Sequence, residues 1–317
     1  MTDQQLFAHI LFLDGVGLGG PDPDKNPFVS ANMPVLSGLL GDGWYLDGGG
    51  RRQTERATLV PTDANLGLEG RPQSATGQAT ILTGRNIPRQ VGEHYGPKPN
   101  AAVAEAIQQG TLFHEVASAG GRAALITPYP ASYFEAIENG RRLLSAVPLA
   151  AVSAGLSLMG EADLRAGRAV SPDFTGEGWR DHLGYADMPV LSFHEAGRRI
   201  TAIAANYEFS FFEHWPTDQA GHRGTLAEAV AHLERIDTVL GGLLESWDEE
   251  RGLLIITSDH GNLEEKGHRQ HTRNPVPTIL FGRDHARHAA RIHDLTDIAA
   301  VVRDVLSLPP TERSSYN

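Results

Sequence analysis

Residues 253–277 read LLIITSDHGNLEEKGHRQHTRNPVP, and the change of character inside this stretch decides the fold. Leu253, Leu254, Ile255 and Ile256 form an unbroken apolar run, the pattern of a strand buried on both faces. The run stops at polar residues and glycine. Asp259 and His260 stand there side by side, and His271 follows a short loop later. Open α/β sheets bind ligands just beyond the carboxyl ends of their strands. A carboxylate and two imidazoles in that place are also ligand types that Zn²⁺ and Mn²⁺ favour.

Working outward, residues 226–247 give the clearest amphipathic helix, with Val230, Leu233, Ile236, Val239, Leu240, Leu243, Leu244 and Trp247 at a spacing of three and four. Before it, residues 209–212 read as a strand, followed by Asp218 and His222. Four residues apart, these two share one side of a helical turn and suit one metal ion. Downstream, 276–281 supplies another strand and 294–306 a closing helix. At the other end of the chain, the nearly all-apolar run 6–13 suits a central parallel strand and ends in Asp14-Gly15. The glycines of 15–20 are no nucleotide loop: G-x-x-x-x-G-K-[ST] is absent, and Pro21 and Asp22 spoil the G-x-G-x-x-G spacing.

Residues 41–73 hold many turn formers and no long periodic segment. Ser74 then falls at a loop-to-helix junction. Its hydroxyl either caps the helix or serves as a nucleophile beside a phosphate held by the helix N-terminus. The segment 101–119 is helical by pattern and 122–127 reads as a short strand. From 128 to 189 the pattern weakens, so this segment is read as a small insert or cap on a core of residues 1–127 and 190–317. Strand, polar site residue and helix recur along the chain. That is an α/β fold with a doubly wound, mostly parallel sheet.

The totals narrow the function. A chain of 317 residues with 40% hydrophobic and 21% charged residues is an ordinary globular protein. Its net charge of −12 argues against nucleic acid as a partner. The same charge repels a phosphorylated substrate, so phosphate chemistry here needs local positive charge, which bound metal supplies. There is no cysteine, which excludes disulfides and thiol catalysis. The N-terminus carries Asp3 and an apolar run broken by His9, without a basic leader or an 18-residue apolar stretch. No membrane association and a cytoplasmic location are the expectation. Oligomeric state is not legible.

Taken singly, each polar residue has an ordinary structural reading as a turn former, cap or solvated loop. Together, Asp14, Asp218, His222, Asp259, His260 and His271 make three carboxylates and three imidazoles, each after an expected strand or in the adjoining loop. Six such ligands suit two divalent ions, which can clamp a phosphoryl group between them.

With these residues in hand, the chain resembles the alkaline phosphatase superfamily, and within it the branch of cofactor-independent phosphoglycerate mutases and phosphopentomutases. The motifs are Leu13-Asp14-Gly15, Gly67-Leu68 through Gln73-Ser74-Ala75-Thr76-Gly77, Asp218-x-x-Gly221-His222, and Ser258-Asp259-His260-Gly261-Asn262 with His271-Thr272-x-Asn274-x-Val276-Pro277. They occur in the family's order over the first 85 residues and roughly 205–281. The resemblance implies one ion, Mn²⁺ or Zn²⁺, held by Asp218, His222 and His271. It implies a second held by Asp14, Asp259 and His260, with Ser74 as further ligand and as the nucleophile that forms a phosphoserine. Thr76 is the fallback nucleophile. Thr76, Gln78, Arg85, His94 and Lys98 are candidates for contact with a small phosphorylated substrate.

Two departures bear on the reaction. Gln78 stands where the mutases usually carry histidine, and the chain is shorter than those mutases in the region of their cap. A mutase has to hold its dephosphorylated intermediate away from water, and the insert with Arg141, Arg142, Arg165, Arg168 and Arg180 is small. A phosphatase or phosphodiesterase is therefore the preferred expectation, with a phosphomutase and a non-catalytic metal-binding protein as alternatives.

Overall fold

Strand β1 (Phe7–Leu13) is buried along its whole length because a neighbour pairs with each of its edges and helices cover both of its faces. The computed structural model describes residues 5–309, so Asp3, cited above against a leader, lies outside the described residues. The other strands are β2 (Arg52–Gln53), β3 (Ala57–Thr62), β4 (Ala123–Leu125), β5 (Phe209–His214), β6 (Gly252–Thr257) and β7 (Val276–Gly282). They form one seven-stranded sheet in the order β2-β3-β7-β6-β1-β5-β4. Neighbours among β6, β1, β5 and β4 run parallel, while β7 reverses against β6 and pairs antiparallel with β3.

Side chains alternate across β1 with the strand period of two. Ala8, Ile10 and Phe12 enter one core, beneath helices Ser74–Thr83, Ala101–Gln108, Ala146–Ser153 and Thr296–Val305. Phe7, Leu11 and Leu13 enter the other, beneath Phe193–Ala204 and Leu226–Ser246. The sheet is thus wound on both faces, as expected from the apolar runs. The segment 128–189 contributes to both cores, with Tyr129, Tyr133 and Val147 on the first side and Val170 and Phe174 on the second. No helix among the described residues is long and apolar enough to cross a membrane.

The stretch 41–73 differs from its expectation, because β2 and β3 lie within it. Proline inside a short run argues against a strand, and β3 contains Pro61. The register explains why it is tolerated. Pro61 stands opposite Pro277, beyond the Arg52–Gln53 pairing on one side and beyond the β6 pairing, which ends at Ile256↔Ile279, on the other. Neither proline therefore interrupts a ladder with the strand's outer neighbour.

His214, the last residue of β5, fixes the segment 170–174 against the strand. Its Nδ1 donates to the Pro172 carbonyl at 2.6 Å, so its Nε2 accepts from His232 Nε2 at 2.8 Å. Its ring stacks on Phe174 with centroids 4.4 Å apart. Burial pushes the His232 imidazole down to about 4 from the ordinary 6.5, and burial together with His232 pushes His214 well below its usual range. Both are neutral when folded, so the unfolded chain takes up protons first as pH falls. The stability they contribute is present above pH 6.5 and is lost as pH falls toward 4. His232→Gln keeps a donor to His214 without the titration. Thermal melts between pH 7 and 4 should show wild type losing more stability than this variant, and equal slopes would remove the pair from the pH response.

Candidate metal centre

Because β1 lies between β5 and β6, the carboxyl ends of these three strands are neighbours. Asp14 follows β1, Asp218 and His222 lie on helix Pro216–Arg223 just after β5, and Asp259 and His260 follow β6. His271 comes from the loop that returns to β7, and Ser74 is the first residue of helix Ser74–Thr83. Two glycines permit the close approach. Gly15 has φ +71°, and a Cβ there would lie 2.7 Å from Asp218 Oδ1; one on Gly77 would lie 2.7 Å from the Asp259 Cβ.

The donor atoms form two adjoining groups, Asp14 with Asp259 and His260, and Asp218 with His260 and His271. His260 Nε2 lies 3.4 Å from Asp14 Oδ1, 3.6 Å from Asp259 Oδ2 and 3.1 Å from Ser74 Oγ. His222 Nε2 lies 3.4 Å from Asp218 Oδ1 and 3.2 Å from His271 Nε2, which is itself 3.8 Å from Asp218 Oδ1. The resemblance implies His260 as a partner of Asp14 and Asp259, and its Nε2 also lies within reach of the Asp218 and His271 donors. The rings of His260 and His271 stack 3.6 Å apart.

The second-partner pattern shows what the site is built to hold. His222 Nδ1 donates to the Arg269 carbonyl at 2.9 Å, and His271 Nδ1 donates to the Pro72 carbonyl at 2.8 Å. A carbonyl only accepts, so both neutral rings carry their proton on Nδ1 and turn bare Nε2 lone pairs toward each other and toward a carboxylate. Asp14 Oδ1 is buried without a hydrogen-bond partner. Lone pairs gathered in this way repel unless a cation lies among them, and the N/O donor set is one that a divalent metal ion accepts. The ionisation of the side chains agrees. Burial and then Asp259, Asp218 and Glu213 raise Asp14 well above the carboxylate range, and burial followed by Asp218 pushes Asp259 up to about 7. Burial pushes His260 and His271 down to about 4.

The remaining predicted contacts are placed less uniformly. Gln78 is buried and donates from its Nε2 to Asp259 Oδ2 at 3.2 Å and Asp14 Oδ2 at 3.4 Å, so it faces the carboxylates rather than open space. Thr76 Oγ1 donates to the carbonyls of Gln73 and Tyr95. Arg85 follows the far end of the Ser74 helix, about 15 Å along its axis, and bonds Gln109 and Ala106. Its engagement there corrects the expectation of a substrate contact. His94 packs near Gly70, outside the cluster, while Lys98 lies on the loop that covers Ser74. Two open clefts, lined by Val35, His194, Asp237 and by Arg56, Leu244, Glu245 among others, share no residue with the cluster.

Comparison with known proteins bears on this geometry. Residues 191–310 match the model of the metalloenzyme superfamily, a span that includes Asp218, His222, Asp259, His260 and His271. A 2,3-bisphosphoglycerate-independent phosphoglycerate mutase of Moorella thermoacetica is 32% identical over 130 residues, 39% of this chain and 25% of that protein. Alkaline phosphatase from the Antarctic bacterium TAB5 superposes with a TM-score of 0.55 at 13% identity, covering 96% of this chain and 99% of that one. The PH0037 protein from Pyrococcus horikoshii superposes with a TM-score of 0.53 at 16% identity, covering 98% and 99%. Residues 191–310 are thus similar to the metalloenzyme superfamily. The structural likenesses show an alkaline phosphatase-like fold over nearly the whole chain. The sequence matches, by contrast, take in about a quarter of the length of the curated relatives.

Within this cluster, sequence reasoning passed over Glu264. In NLEEKG it reads as part of a solvated charge run. In fact it is 1% exposed and accepts from Gly17 N at 3.0 Å, Asn262 N at 2.8 Å, Asn274 Nδ2 at 3.1 Å and the Thr272 hydroxyl. It ties the loop after β1 to the loop after β6. Asn262 extends the tie by donating to Asp218 Oδ1 at 2.7 Å. Glu264→Ala leaves these buried donors unsatisfied and should cost roughly 2–4 kcal/mol of stability. Chemical denaturation of metal-free protein measures this. A loss within ~0.5 kcal/mol would show that Glu264 does not hold the loops.

Proposed function

We propose that the chain is a two-metal-dependent phosphoryl-transfer enzyme, a phosphatase or phosphodiesterase that works through a phosphoserine at Ser74. One observation carries the reading: the buried Ser74 hydroxyl opens a ten-residue helix and lies 3.1 Å from His260 Nε2, at the junction of the two donor groups. Asp218, His222 and His271 would hold one divalent ion, and Asp14, Asp259, His260 and Ser74 the other, with Mn²⁺ or Zn²⁺ suiting both. Bound there, the ions would offset the charge that spreads over the phosphoryl oxygens in the transition state.

The chain's own groups account for the remaining work. The N-terminus of the Ser74 helix directs backbone N–H groups at an anion, which orients the phosphoryl group toward Oγ. Ser74 Oγ forms a bond to phosphorus and loses its proton to solvent, while the bond from phosphorus to the ester oxygen breaks and that oxygen takes up a proton. Water then attacks the phosphoserine, phosphate leaves and the hydroxyl returns. Gln78 holds Asp14 and Asp259 from behind through its amide. A small phosphorylated molecule is the substrate class.

The sequence relatives favour a second reading, a phosphomutase, in which the phosphoserine passes its phosphoryl group to a hydroxyl of the same substrate. A panel of phosphomonoesters and diesters assayed with Mn²⁺ or Zn²⁺ separates the two. Free phosphate is expected, with a loss of at least about 1,000-fold in Ser74→Ala. Isomerised substrate without free phosphate would give the mutase, and full activity in Ser74→Ala would remove the nucleophile. Bound metal, measured by elemental analysis, should be two ions per chain in wild type. His222→Ala should lower one and His260→Ala the other. One ion in wild type would overturn the two-metal arrangement.

A further inference from the structure

We propose that Lys98, Arg142 and Tyr133 form an anion-binding subsite beside Ser74, which takes a second negatively charged group on the part of the substrate that is not transferred. This deepens the phosphoryl-transfer reading and rests on it for the place of the first phosphoryl group.

The loop carrying Lys98 lies directly over the nucleophile. A Cβ on Gly96 would stand 3.1 Å from Ser74 N, and the Tyr95 carbonyl accepts from Thr76 N at 3.1 Å. From there Lys98 Nζ donates to the Leu143 carbonyl, which brings its ammonium next to Arg142. The opposite wall leads out from the end of β5. Tyr129 donates to Glu213 Oε2 at 3.0 Å and stacks on Tyr133 with centroids 4.4 Å apart, and the Arg142 Cζ lies 4.7 Å above the Tyr133 ring.

Three features mark this wall as unfinished without a ligand. First, among the described residues neither Lys98 nor Arg142 forms an ion pair. Other arginines of the same segment are paired, Arg165 with Glu161 and Asp187, Arg168 with Asp163 and Arg180 with Asp181. Second, the two cations are held close enough to oppose each other: burial and then Arg142 push the Lys98 ammonium below its usual range, and Glu213 only partly offsets this. Third, the buried Tyr133 hydroxyl makes no close hydrogen bond, with only the Ser145 side chain near it. A chain of net charge −12 with three lysines has put one of them, without an ion pair, on the loop that covers its nucleophile. Two cations and a spare hydroxyl donor match a carboxylate or a second phosphoryl group.

Calorimetric titration of the metal-loaded protein with unreactive phosphonates tests this without turnover. Propylphosphonate carries the first group only, 3-phosphonopropionate adds a carboxylate, and propane-1,3-bisphosphonate adds a second phosphonate. At least one doubly charged ligand should bind roughly tenfold more tightly than propylphosphonate, and the tighter of the two identifies the second group. Lys98→Gln and Arg142→Gln should each remove most of that preference, and Tyr133→Phe part of it. Arg180→Gln, whose guanidinium is already paired with Asp181, should keep it. Equal affinities for all three ligands in wild type, or a preference that survives Lys98→Gln and Arg142→Gln, would overturn the subsite. Binding of no phosphonate would remove the phosphoryl site and the subsite with it. A preserved preference without ester cleavage would leave the subsite standing and remove the hydrolase reading alone.

Discussion

Lone pairs that face one another across a buried space set the constraint on which the rest of this structure depends. His222 and His271 are each pinned by a backbone carbonyl at Nδ1, so neither ring can turn its proton into the gap between their Nε2 atoms, 3.2 Å apart. Asp218 stands at the same point, and Asp14 and Asp259 face His260 next to it. Left alone, such groups relieve the repulsion by binding protons, which is why burial and like charge raise Asp14 and Asp259. A divalent cation reverses that preference, so its binding competes with protons at the same atoms.

Keeping repelling groups together requires a stiff frame. Parallel pairing of β1 with β5 and β6 fixes three of the attachment points within one ladder, and the two cores clamp the sheet from both faces. The loops beyond the strands would splay without a tie, and Glu264 supplies it from inside. Burial raises its pKa, which the donors from Thr272, Asn262 and Asn274 counteract. A carboxylate thus satisfied by fixed N–H and O–H groups acts as a structural pin rather than as another ligand. Gly15 and Gly77 complete the frame by omission, since a side chain at either would occupy the space of Asp218 or Asp259.

This division explains what could be read from the chain beforehand. The central strands were legible because a strand buried on both faces is an unbroken apolar run, as in 253–256. The six candidate ligands were legible because their residue types recur just where such runs end. β3 was not, because Pro61 argues against a strand until the register shows that no outer partner faces it. Glu264 and Glu213 were missed for a different reason: an acid in a polar stretch looks solvated, and only tertiary burial gives it a role. Arg85 shows the reverse error. Its charge fitted a phosphate, but ten helical residues separate it from the end where Ser74 sits. The sharing of His260 between both groups was equally out of reach, since sequence order carries no information about which side of a ring faces which carboxylate.

The distribution of positive charge bears on the choice between hydrolysis and mutase chemistry. A mutase needs an enclosure that holds a free, dephosphorylated intermediate by its remaining charges. The segment 128–189 has five arginines, but Arg165, Arg168 and Arg180 are paired with acids of the same segment. Their charge is neutralised locally and adds little attraction for a distant anion in solvent. Among the described residues, the cations without an ion pair near Ser74 include Lys98 and Arg142, which form one wall, and Arg71, which donates to the His271 carbonyl. One wall can orient a substrate whose phosphoryl group is already fixed at the other end. Once that bond is broken, the same wall has to retain the released alcohol by one contact region alone, while the chain's net charge of −12 repels it if it is anionic. On the proposed phosphoryl-transfer reading, such a charge arrangement favours release of the alcohol to solvent, followed by water attack on a phosphoserine.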